Sequence, residues 1–217
     1  AKASLESVYS TSSALHFTLE PVNAAVEFKD GICHVHCGNQ WQSLFLPVVA
    51  KAVGMPEDKV IIHQYYLGGG FGRRLAGDYM IPAALTAQAV GKPVKLVFTR
   101  EDDTLFDCVR SPSVQQMNAY WDADQKLIGI EHGAAAGWPT LAMAPGFLPE
   151  GINGKGKYDP FSISGADHWY TLENHRVRAI NNTLAQKTFV PGWLRAVGPG
   201  WTGWAVESFM DEIAHEQ

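Results

Sequence analysis

The sequence predicts an α/β protein, more closely an α+β arrangement of mixed sheets with packed helices. Two observations support this class: β-branched and aromatic runs alternate with helical patterns, and glycines or turn dipeptides separate most of them. The chain has 217 residues, 46% of them hydrophobic and 18% charged, which is enough for one large globular domain. We expect a single α/β unit over residues 1–217, with halves at 1–110 and 111–217.

In the first half, turn residues separate the predicted elements. Asp30-Gly31 is a dipeptide typical of hairpin turns, and Gly54 and Gly91 are typical of helix C-termini. Pro47 lies inside the first helical pattern and predicts a kink or a late start. The predicted strands are 24–28, 32–37, the run "KVIIHQYYL" from 59 and the run "KPVKLVFTR" from 92, and the predicted helices are 41–53 and 78–90.

The second half is predicted to contain another hairpin, a long loop and a closing helix. The strands "VQQMNAYWD" and "KLIGIEHGAAAG" flank the turn "DADQ". Residues 138–165 are rich in Pro and Gly and predict an extended loop, which in a compact domain is more often functional than idle. A strand is expected at 176–180 and a helix at 201–215. The apolar face of that helix consists of Val206, Phe209, Met210 and Ile213.

Composition and charge exclude several classes of partner. The formal net charge is −5 and Lys and Arg form no run, which argues against nucleic acid and against anionic membranes. Three cysteines without a C-x-x-C pair argue against a disulfide framework. No apolar stretch reaches the roughly 18 residues of a membrane span, and "AKASLESVYS" lacks the order of a signal peptide. The sequence leaves both a periplasmic and a cytoplasmic location open.

A metal site is the first chemical candidate, because the stretch "CHVHC" at 33–37 contains four potential ligands. Successive side chains of a strand point to opposite faces, so Cys33 and Cys37 lie on one side and His34 and His36 on the other. One tetrahedral ion cannot bind all four. Ordinary strand residues are the favoured interpretation, and we assign no metal ligand. The two histidines could still meet a third ligand, but the spacing predicts none.

Carboxylates offer no better catalytic candidate. Glu207 and Asp211 lie four residues apart on the closing helix, with Glu212 beside them. A solvated polar face explains them, because the opposite face of the helix is apolar. The stretch "REDD" at 100–103 is interpreted as a charge cluster at the end of a strand. We therefore assign no catalytic residue in this chain.

The stretch "YYLGGGFGRRL" at 65–75 is the strongest local signal. It places four glycines between a strand and a helix, although ordering a glycine costs more backbone entropy than ordering any other residue. Arg73 stands where a Walker A loop has its second Gly and where a G-x-G-x-x-G frame has its last Gly, so both motifs fail. A tight turn with positive φ would need only one or two glycines. Bare backbone that meets an anion or a metal-bound oxygen is the favoured interpretation.

Several spaced motifs together resemble one family. The segments "LEPVNAAVEFKDG", "GNQWQ", "VAKAVGMPEDKV", "LGGGFGRR" and "LRAVGPGWTGWAVESFMDEIA" occur in the order seen in the molybdenum-binding large subunit of the xanthine oxidase family. The match looks nearest to the isoquinoline 1-oxidoreductase beta-subunit and related bacterial aldehyde dehydrogenases. The separation of Gln40 and Phe71 (71 − 40 = 31) also resembles that family. The resemblance covers nearly the whole chain and implies a partial molybdopterin-binding domain.

In the first half the resemblance implies roles for five residues, none of which is a base. Gln40 matches the glutamine whose amide hydrogen-bonds an oxo ligand of molybdenum. Phe71 and Gly72 match the loop that brings backbone amides to the metal's oxygen and to the pterin. Gly69 and Gly70 allow that approach. An amide and bare N–H groups suit this role, because they hold an oxo ligand without replacing any ligand of the metal.

In the second half the resemblance implies that Arg195 lies at the substrate and cofactor side of the site. It also implies that Gly198 forms the tight turn that follows Arg195.

Leu75 stands where xanthine-converting members of the family have an acidic residue that contacts the substrate, which argues against xanthine as substrate. The implied reaction hydroxylates an aldehyde or an N-heterocycle with water as the oxygen source, and the cofactor supplies the difficult chemistry.

The resemblance also implies what this chain lacks. The family's catalytic glutamate lies in a Gly-x-Gly-Glu-like segment, and Gly-Glu does not occur here. We therefore expect a fragment or a split-gene product that is inactive alone. Its expected partners are the C-terminal half of the large subunit, a small iron–sulfur subunit and the small-molecule substrate. The expected cofactor is molybdopterin in its cytosine dinucleotide form, with iron–sulfur clusters in the partner subunit, since three scattered cysteines cannot hold a cluster.

Two non-enzymatic alternatives stay open. In a binding domain, the glycine loop would hold some other anion or phosphate. In an association module, the chain would expose apolar surface, since it has seven tryptophans and a long Gly/Pro loop. For the isolated chain we expect a dimer or a larger oligomer.

Overall fold

The computed structural model of the protein describes residues 3–216, which form two compact units. The central unit contains residues 15–108, and the terminal unit contains the described residues of 1–14 and 109–217. Each unit combines a mixed β-sheet with helices, so the predicted α/β class is confirmed. No helix in the described range is long and apolar enough to cross a membrane.

Strands and helices alternate along most of the chain. The strands are β1 (Ala3–Thr11), β2 (Asn23–Lys29), β3 (Ile32–Cys37), β4 (Val60–Gln64), β5 (Val94–Val97), β6 (Ser113–Trp121), β7 (Leu127–Ala136) and β8 (His175–Asn181). The α-helices are α1 (Gln42–Val53), α2 (Met80–Val90), α3 (Arg100–Leu105), α4 (Pro139–Met143), α5 (Pro160–Ile163), α6 (Thr183–Thr188) and α7 (Thr202–Glu216).

The central unit is built on a sheet with strand order β4-β3-β2-β5, in which only β3 and β4 are parallel. The hairpin of β2 and β3 is confirmed, and its turn residues Asp30 and Gly31 have φ values of 52° and 76°. Helix α2 packs on β2, and α1 packs on α2 and β4. Because both helices cover the same face, side chains such as Val26 and Val35 are fully buried while the opposite face of the sheet stays more open.

Glycines end both long helices of the central unit, as predicted. Gly54 and Gly91 adopt left-handed φ values of 68° and 64° beyond α1 and α2. The late start that Pro47 predicted as one option does not occur, since α1 begins at Gln42. The interpretation of residues 100–103 as a strand-end cluster is wrong: they form the first turn of α3. Thr99 caps that helix, because its Oγ1 accepts a hydrogen bond from the Asp102 N–H at 3.1 Å.

The terminal unit has a sheet with strand order β1-β6-β7-β8, in which only β7 and β8 are parallel. The second hairpin and the closing helix α7 are confirmed, and α7 buries its predicted apolar face on β6. Strand β1, which the sequence did not predict, pairs with β6 along its whole length. Beyond β1, Ala14 bridges to Arg110 with N–H to carbonyl distances of 3.3 and 2.9 Å.

The segment 138–165, predicted to be irregular, contains the short helices α4 and α5. Asp159 connects them, because its carboxylate accepts hydrogen bonds at 2.7 Å from both the N–H and the hydroxyl of Thr140. The same carboxylate accepts one from the N–H of Phe161 at 3.0 Å, at the start of α5. A polar side chain thus stabilises these two short helices. They were not predicted because helices are predicted from apolar periodicity.

Candidate cofactor-binding site

Gln40 lies just beyond the end of β3, and its orientation is fixed by backbone groups of the glycine loop. Its Oε1 accepts hydrogen bonds from the N–H of Gly72 at 3.1 Å and of Arg74 at 3.2 Å. Its own N–H donates to the Arg74 carbonyl at 3.3 Å. Because both partners of the side chain are donors, the atom facing them must be the amide oxygen. The Gln40 NH2 group is therefore the remaining side-chain donor of an exposed residue.

The first three glycines of the loop each face a protein side chain. A Cβ built on Gly70 would lie 2.5 Å from Gln40 Oε1, and one on Gly68 would lie 2.5 Å from the Glu20 Cβ. Gly69 has a φ of 104° and lies against the ring of Phe71. The loop is glycine-rich in part because Gln40 and Glu20 occupy the space of the missing side chains. The sequence interpretation, which reserved that space for a ligand, did not include these neighbours.

The far end of the loop turns through left-handed backbone. Phe71 and Gly72 have φ values of 53° and 108°, and Phe71 is a non-glycine residue in a region that bulky side chains rarely adopt. The Phe71 side chain is 43% exposed. The turn brings the Gly72 N–H to Gln40 Oε1, and a single turn of 3₁₀ helix over Arg73–Leu75 follows. Strained backbone of this kind clusters at active sites, ligand clamps and switch regions.

Arg74 connects the three segments that build the site. It is fully buried, and its guanidinium donates to the Gly69 carbonyl at 2.9 Å, to the Gly38 carbonyl at 3.4 Å and to the Glu20 carboxylate at 2.6 Å. Tyr79 of the following loop also donates to the Gly38 carbonyl, at 2.8 Å. Arg74 therefore holds the glycine loop, the end of β3 and residue 20 in one arrangement.

The Glu20 carboxyl is the anionic partner of this arrangement. Partial burial acts to raise its pKa, but the hydrogen bonds from Gly68 and Asn23 and the charge of Arg74 outweigh that effect and hold the pKa below its usual value. The Gly68 N–H donates to this carboxylate at 2.7 Å. The first glycine of the loop is thus fixed by a charged acceptor.

Arg73 forms a second buried charge cluster beside the first. Its guanidinium makes a bidentate pair with Asp78 at 2.7 and 3.3 Å, and its Nε lies 3.4 Å from Asp103 and 3.2 Å from Asp107. Asp107 also contacts His16 Nδ1 at 2.9 Å. In the sequence, Arg73 served only to exclude phosphate motifs, and neither arginine was predicted to be a structural residue. Two adjacent cations after a glycine loop, with acidic residues on both sides along the chain, were the available signal.

Arg195 and Gly198 lie in the terminal unit. Arg195 is exposed, and its carbonyl accepts a hydrogen bond from Arg110 Nη2. Burial, and then the charge of Arg195, lower the pKa of Arg110. Ala196 has a φ of 56°, and a Cβ on Gly198 would lie 2.3 Å from the Ser164 hydroxyl. The segment is thus a tight turn that presents one arginine outward beside a second, half-buried one.

The two thiols of the "CHVHC" strand lie on one face of the sheet, as predicted, and the structure shows that this face is the buried one. Burial raises the pKa of Cys33 to about 11 and also raises that of Cys37, so neither is a thiolate near neutral pH. A second group, His16, Asp107 and Cys108, has ligand atoms within 4.8 Å of one another. There too burial raises the thiol pKa, to about 12, and Arg73 neutralises the carboxylate. Protonated thiols are poor metal ligands.

The carboxylates of α7 have structural partners. Glu207 is exposed and accepts a hydrogen bond from the Tyr170 hydroxyl at 2.7 Å. Glu212 is half-buried and accepts one from the Tyr9 hydroxyl at 2.6 Å and one from Ser7, both on β1. The interpretation of a wholly solvated face is therefore wrong for Glu212, which ties α7 to the edge strand.

Around Gln40, the described residues offer directed backbone N–H donors and a strained turn, and the nearby Glu20 carboxylate is paired with Arg74. The sequence profile of the molybdopterin cofactor-binding domain family matches residues 1–217. The chain belongs to this family, and the resemblance found in its motifs is confirmed.

Comparisons with individual proteins agree with this family. The chain is 56% identical to a membrane-bound aldehyde dehydrogenase [pyrroloquinoline-quinone] of Gluconacetobacter polyoxogenes over 98% of its own length and 28% of that protein. It is 29% identical to the beta chain of isoquinoline 1-oxidoreductase from Brevundimonas diminuta, over 90% of the chain and 24% of the relative. It therefore spans about a quarter of the length of these relatives.

A solved structure shows the same fold. The aldehyde oxidoreductase from Desulfovibrio gigas matches with a TM-score of 0.80 and 21% identity, over 100% of this chain and 23% of that one. This likeness concerns the fold alone, and the family assignment depends on the sequence matches.

Proposed function

We propose that this chain forms one wall of a molybdopterin site in an oxidoreductase that hydroxylates aldehydes or N-heterocycles with water as the oxygen source. The observation that supports this most directly is the fixed orientation of Gln40. Its oxygen is held by the N–H groups of Gly72 and Arg74, so its NH2 group is the donor left for another partner. A neutral donor of this kind fits an oxygen-bearing metal centre, because it binds the oxygen and leaves the metal ligands in place.

Each proposed cofactor residue would then act by position. Gln40 would donate to an oxygen of the bound group, and the turn at Phe71 and Gly72 would set the contour of the wall. Gly69 and Gly70 would keep that wall thin, since any side chain there would displace Phe71 or Gln40. Molybdopterin, when bound, supplies oxygen transfer and two-electron oxidation.

The cytosine dinucleotide form of the cofactor is also part of the proposal. A dinucleotide carries phosphate groups, and on the terminal unit the exposed Arg195 lies near enough to Arg110 for its charge to lower the pKa of Arg110. Arginine is a preferred phosphate partner because its donors form a planar fork. We propose Arg195 and Gly198 as cofactor-side residues on this ground.

The remaining parts of the enzyme are proposed to lie outside these residues. The chain spans about a quarter of its first relatives, and others bear names of subunits, such as the nicotinate dehydrogenase large molybdopterin subunit of Eubacterium barkeri. We propose that a further part of the large subunit supplies the catalytic glutamate and that an iron–sulfur subunit takes the electrons. The 217 residues alone should then be inactive.

A second cofactor has a specific observation in its favour. The relative that is 56% identical carries pyrroloquinoline quinone in its name. This quinone is a tricarboxylate, and the cationic pair of Arg110 and Arg195 would suit it as well as a phosphate. The test must therefore separate the two cofactors.

The experiment measures cofactor content and activity of the complete enzyme, in which this chain is joined to the remaining part of the large subunit and to the iron–sulfur subunit, as wild type and as the Gln40→Glu variant. Glu keeps the acceptor for Gly72 and Arg74 but cannot donate, so we expect an intact fold and a loss of turnover of at least about tenfold. Gln42→Glu, at another exposed position two residues away, should keep wild-type activity. Molybdenum is measured by mass spectrometry and the quinone by its absorption.

The outcomes separate clearly. Stoichiometric molybdenum, and labelled oxygen from H2¹⁸O in the product of an N-heterocycle, support the proposal. Quinone without molybdenum refutes the cofactor assignment. Equal activity of the Gln40→Glu and wild-type proteins refutes the role of Gln40. An N-heterocycle is the better probe because aldehydes exchange their oxygen with water before they react.

A further inference from the structure

The open face of the central sheet carries three imidazoles that the proposed function does not use. His34 and His36 lie on β3, and His63 lies on β4 as the register partner of His36. Because β3 and β4 are adjacent and in register, all three side chains project from the face opposite to the helices. His63 is thus a third residue that the spacing within "CHVHC" did not reveal.

The rings are in direct contact. His34 Nδ1 and His63 Nε2 are 3.0 Å apart, and the rings of His36 and His63 stack with centroids 4.4 Å apart and planes at 6°. Two nitrogens bound to one tetrahedral ion at 2.0–2.1 Å lie about 3.3 Å from each other. The His34 and His63 nitrogens already have nearly this separation.

Oxygen groups border the same cluster. Glu27 is the register partner of His34, and its Oε1 lies 4.0 Å from His36 Nε2. The Tyr65 hydroxyl lies 3.1 Å from His36 Nδ1. The His36 and Glu27 side chains are 31% and 38% exposed, so they have room to rotate and solvent can reach them.

We propose that His34, His36 and His63 form a site for a divalent transition-metal ion, separate from the molybdopterin wall. The ion would replace the contact between His34 and His63, and His36 would turn from its stacked position to become the third nitrogen ligand. The Glu27 carboxylate or a water would complete a tetrahedron. Imidazole ligands select Zn²⁺, Cu²⁺ or Ni²⁺ over Mg²⁺ and Ca²⁺, which prefer oxygen.

This cluster differs from the other candidate in the central unit. His16, Asp107 and Cys108 lie beside the Arg73 cation, and the thiol there is protonated. On the histidine face, no arginine or lysine contacts any of the three rings among the described hydrogen bonds and ion pairs. The histidine face thus lacks the direct ion pair with an arginine that Asp107 makes.

The test is binding of Zn²⁺ to the full chain, measured by isothermal titration calorimetry. The wild-type protein should bind one ion, and His34→Asn, His36→Asn and His63→Asn should each weaken binding by at least about tenfold. His215→Asn removes an exposed imidazole of α7 and is the matched control, with wild-type binding expected. If wild-type protein binds no stoichiometric Zn²⁺, or if any of the three variants binds it as tightly as wild type, the three-imidazole site is overturned.

Electron paramagnetic resonance of added Cu²⁺ gives a second readout that needs no variant. The wild-type spectrum should show hyperfine splitting from three nitrogens. A spectrum without nitrogen splitting overturns the site even if a variant fails to fold. Neither measurement depends on molybdenum or on turnover, so its failure would not touch the proposed function.

Discussion

Replacement of Arg74 by Met should destabilise the glycine loop more than any surface change in the chain. Met has similar length and no charge, so it can fill the space without donating a hydrogen bond. The guanidinium joins the carbonyls of Gly69 and Gly38 and the Glu20 carboxylate. The three acceptors differ in whether another donor remains when the guanidinium is removed.

The magnitude follows from which acceptors keep another partner. The Gly38 carbonyl keeps the Tyr79 hydroxyl, and the Glu20 carboxylate keeps the Gly68 N–H. The Gly69 carbonyl has no second donor among the described hydrogen bonds. Breaking a buried ion pair costs about 3–5 kcal/mol. Because the Glu20 side chain is 41% exposed, we expect the lower end, about 3 kcal/mol.

Amide hydrogen exchange measures this loss locally. The N–H groups of Gly72 and of residue 74 donate to Gln40, so their exchange reports opening of the loop. A loss of about 3 kcal/mol corresponds to exchange faster by about a hundredfold. Arg176→Met is the matched control: that side chain is 62% exposed in its pair with Glu131, and its loss should cost under about 1 kcal/mol. Exchange at Gly72 within about threefold of the wild-type rate would refute the reasoning.

Two further predictions concern the chain as a whole. Burial, and then the charges of His175 and His168, lower the pKa of His132 from 6.5 to about 4. As the pH falls from 6.5 to about 4, the unfolded state therefore binds a proton before the folded state does. The free energy of unfolding falls over this pH range. We expect a loss of up to about 3 kcal/mol, measured by urea unfolding at about pH 7 and about pH 4.5, and the same pH dependence in His132→Gln would contradict it. The isolated chain should self-associate, since Trp169 and Tyr66 are almost fully exposed. Light scattering that finds a monomer at every concentration would rule this out.

Much of the fold follows from local signals in the sequence. The turn at Asp30-Gly31 and the glycines that end α1 and α2 each require left-handed backbone, and the structure has it at those positions. Strand β1 and helix α3 were not predicted, because neither depends on a turn or helix-end signal of this kind. β1 depends on pairing with a strand about 100 residues away along the chain, and α3 depends on a single cap at Thr99.

The residues of the candidate site stay a prediction from the motifs, and the residues that support them were not predicted. Gln40 and the glycine loop carry recognisable motifs, whereas Glu20 and Tyr79 matter only because the fold brings them to Arg74 and Gly38. His63 is a similar case, since its relation to His36 depends on the register of two parallel strands. A sequence pattern records spacing along one strand and cannot record which strand lies beside it.

The bridge between Ala14 and Arg110 has a practical consequence for dissecting the protein. The chain leaves the terminal unit at residue 14 and re-enters it beside a residue hydrogen-bonded to the departure point. The central unit therefore has the topology of a cassette with adjacent ends. A short linker that joins Ala14 to Arg110 would close the terminal unit without stretching its sheet, and the excised cassette would carry Gln40, the glycine loop and the histidines of β3 and β4 in one piece.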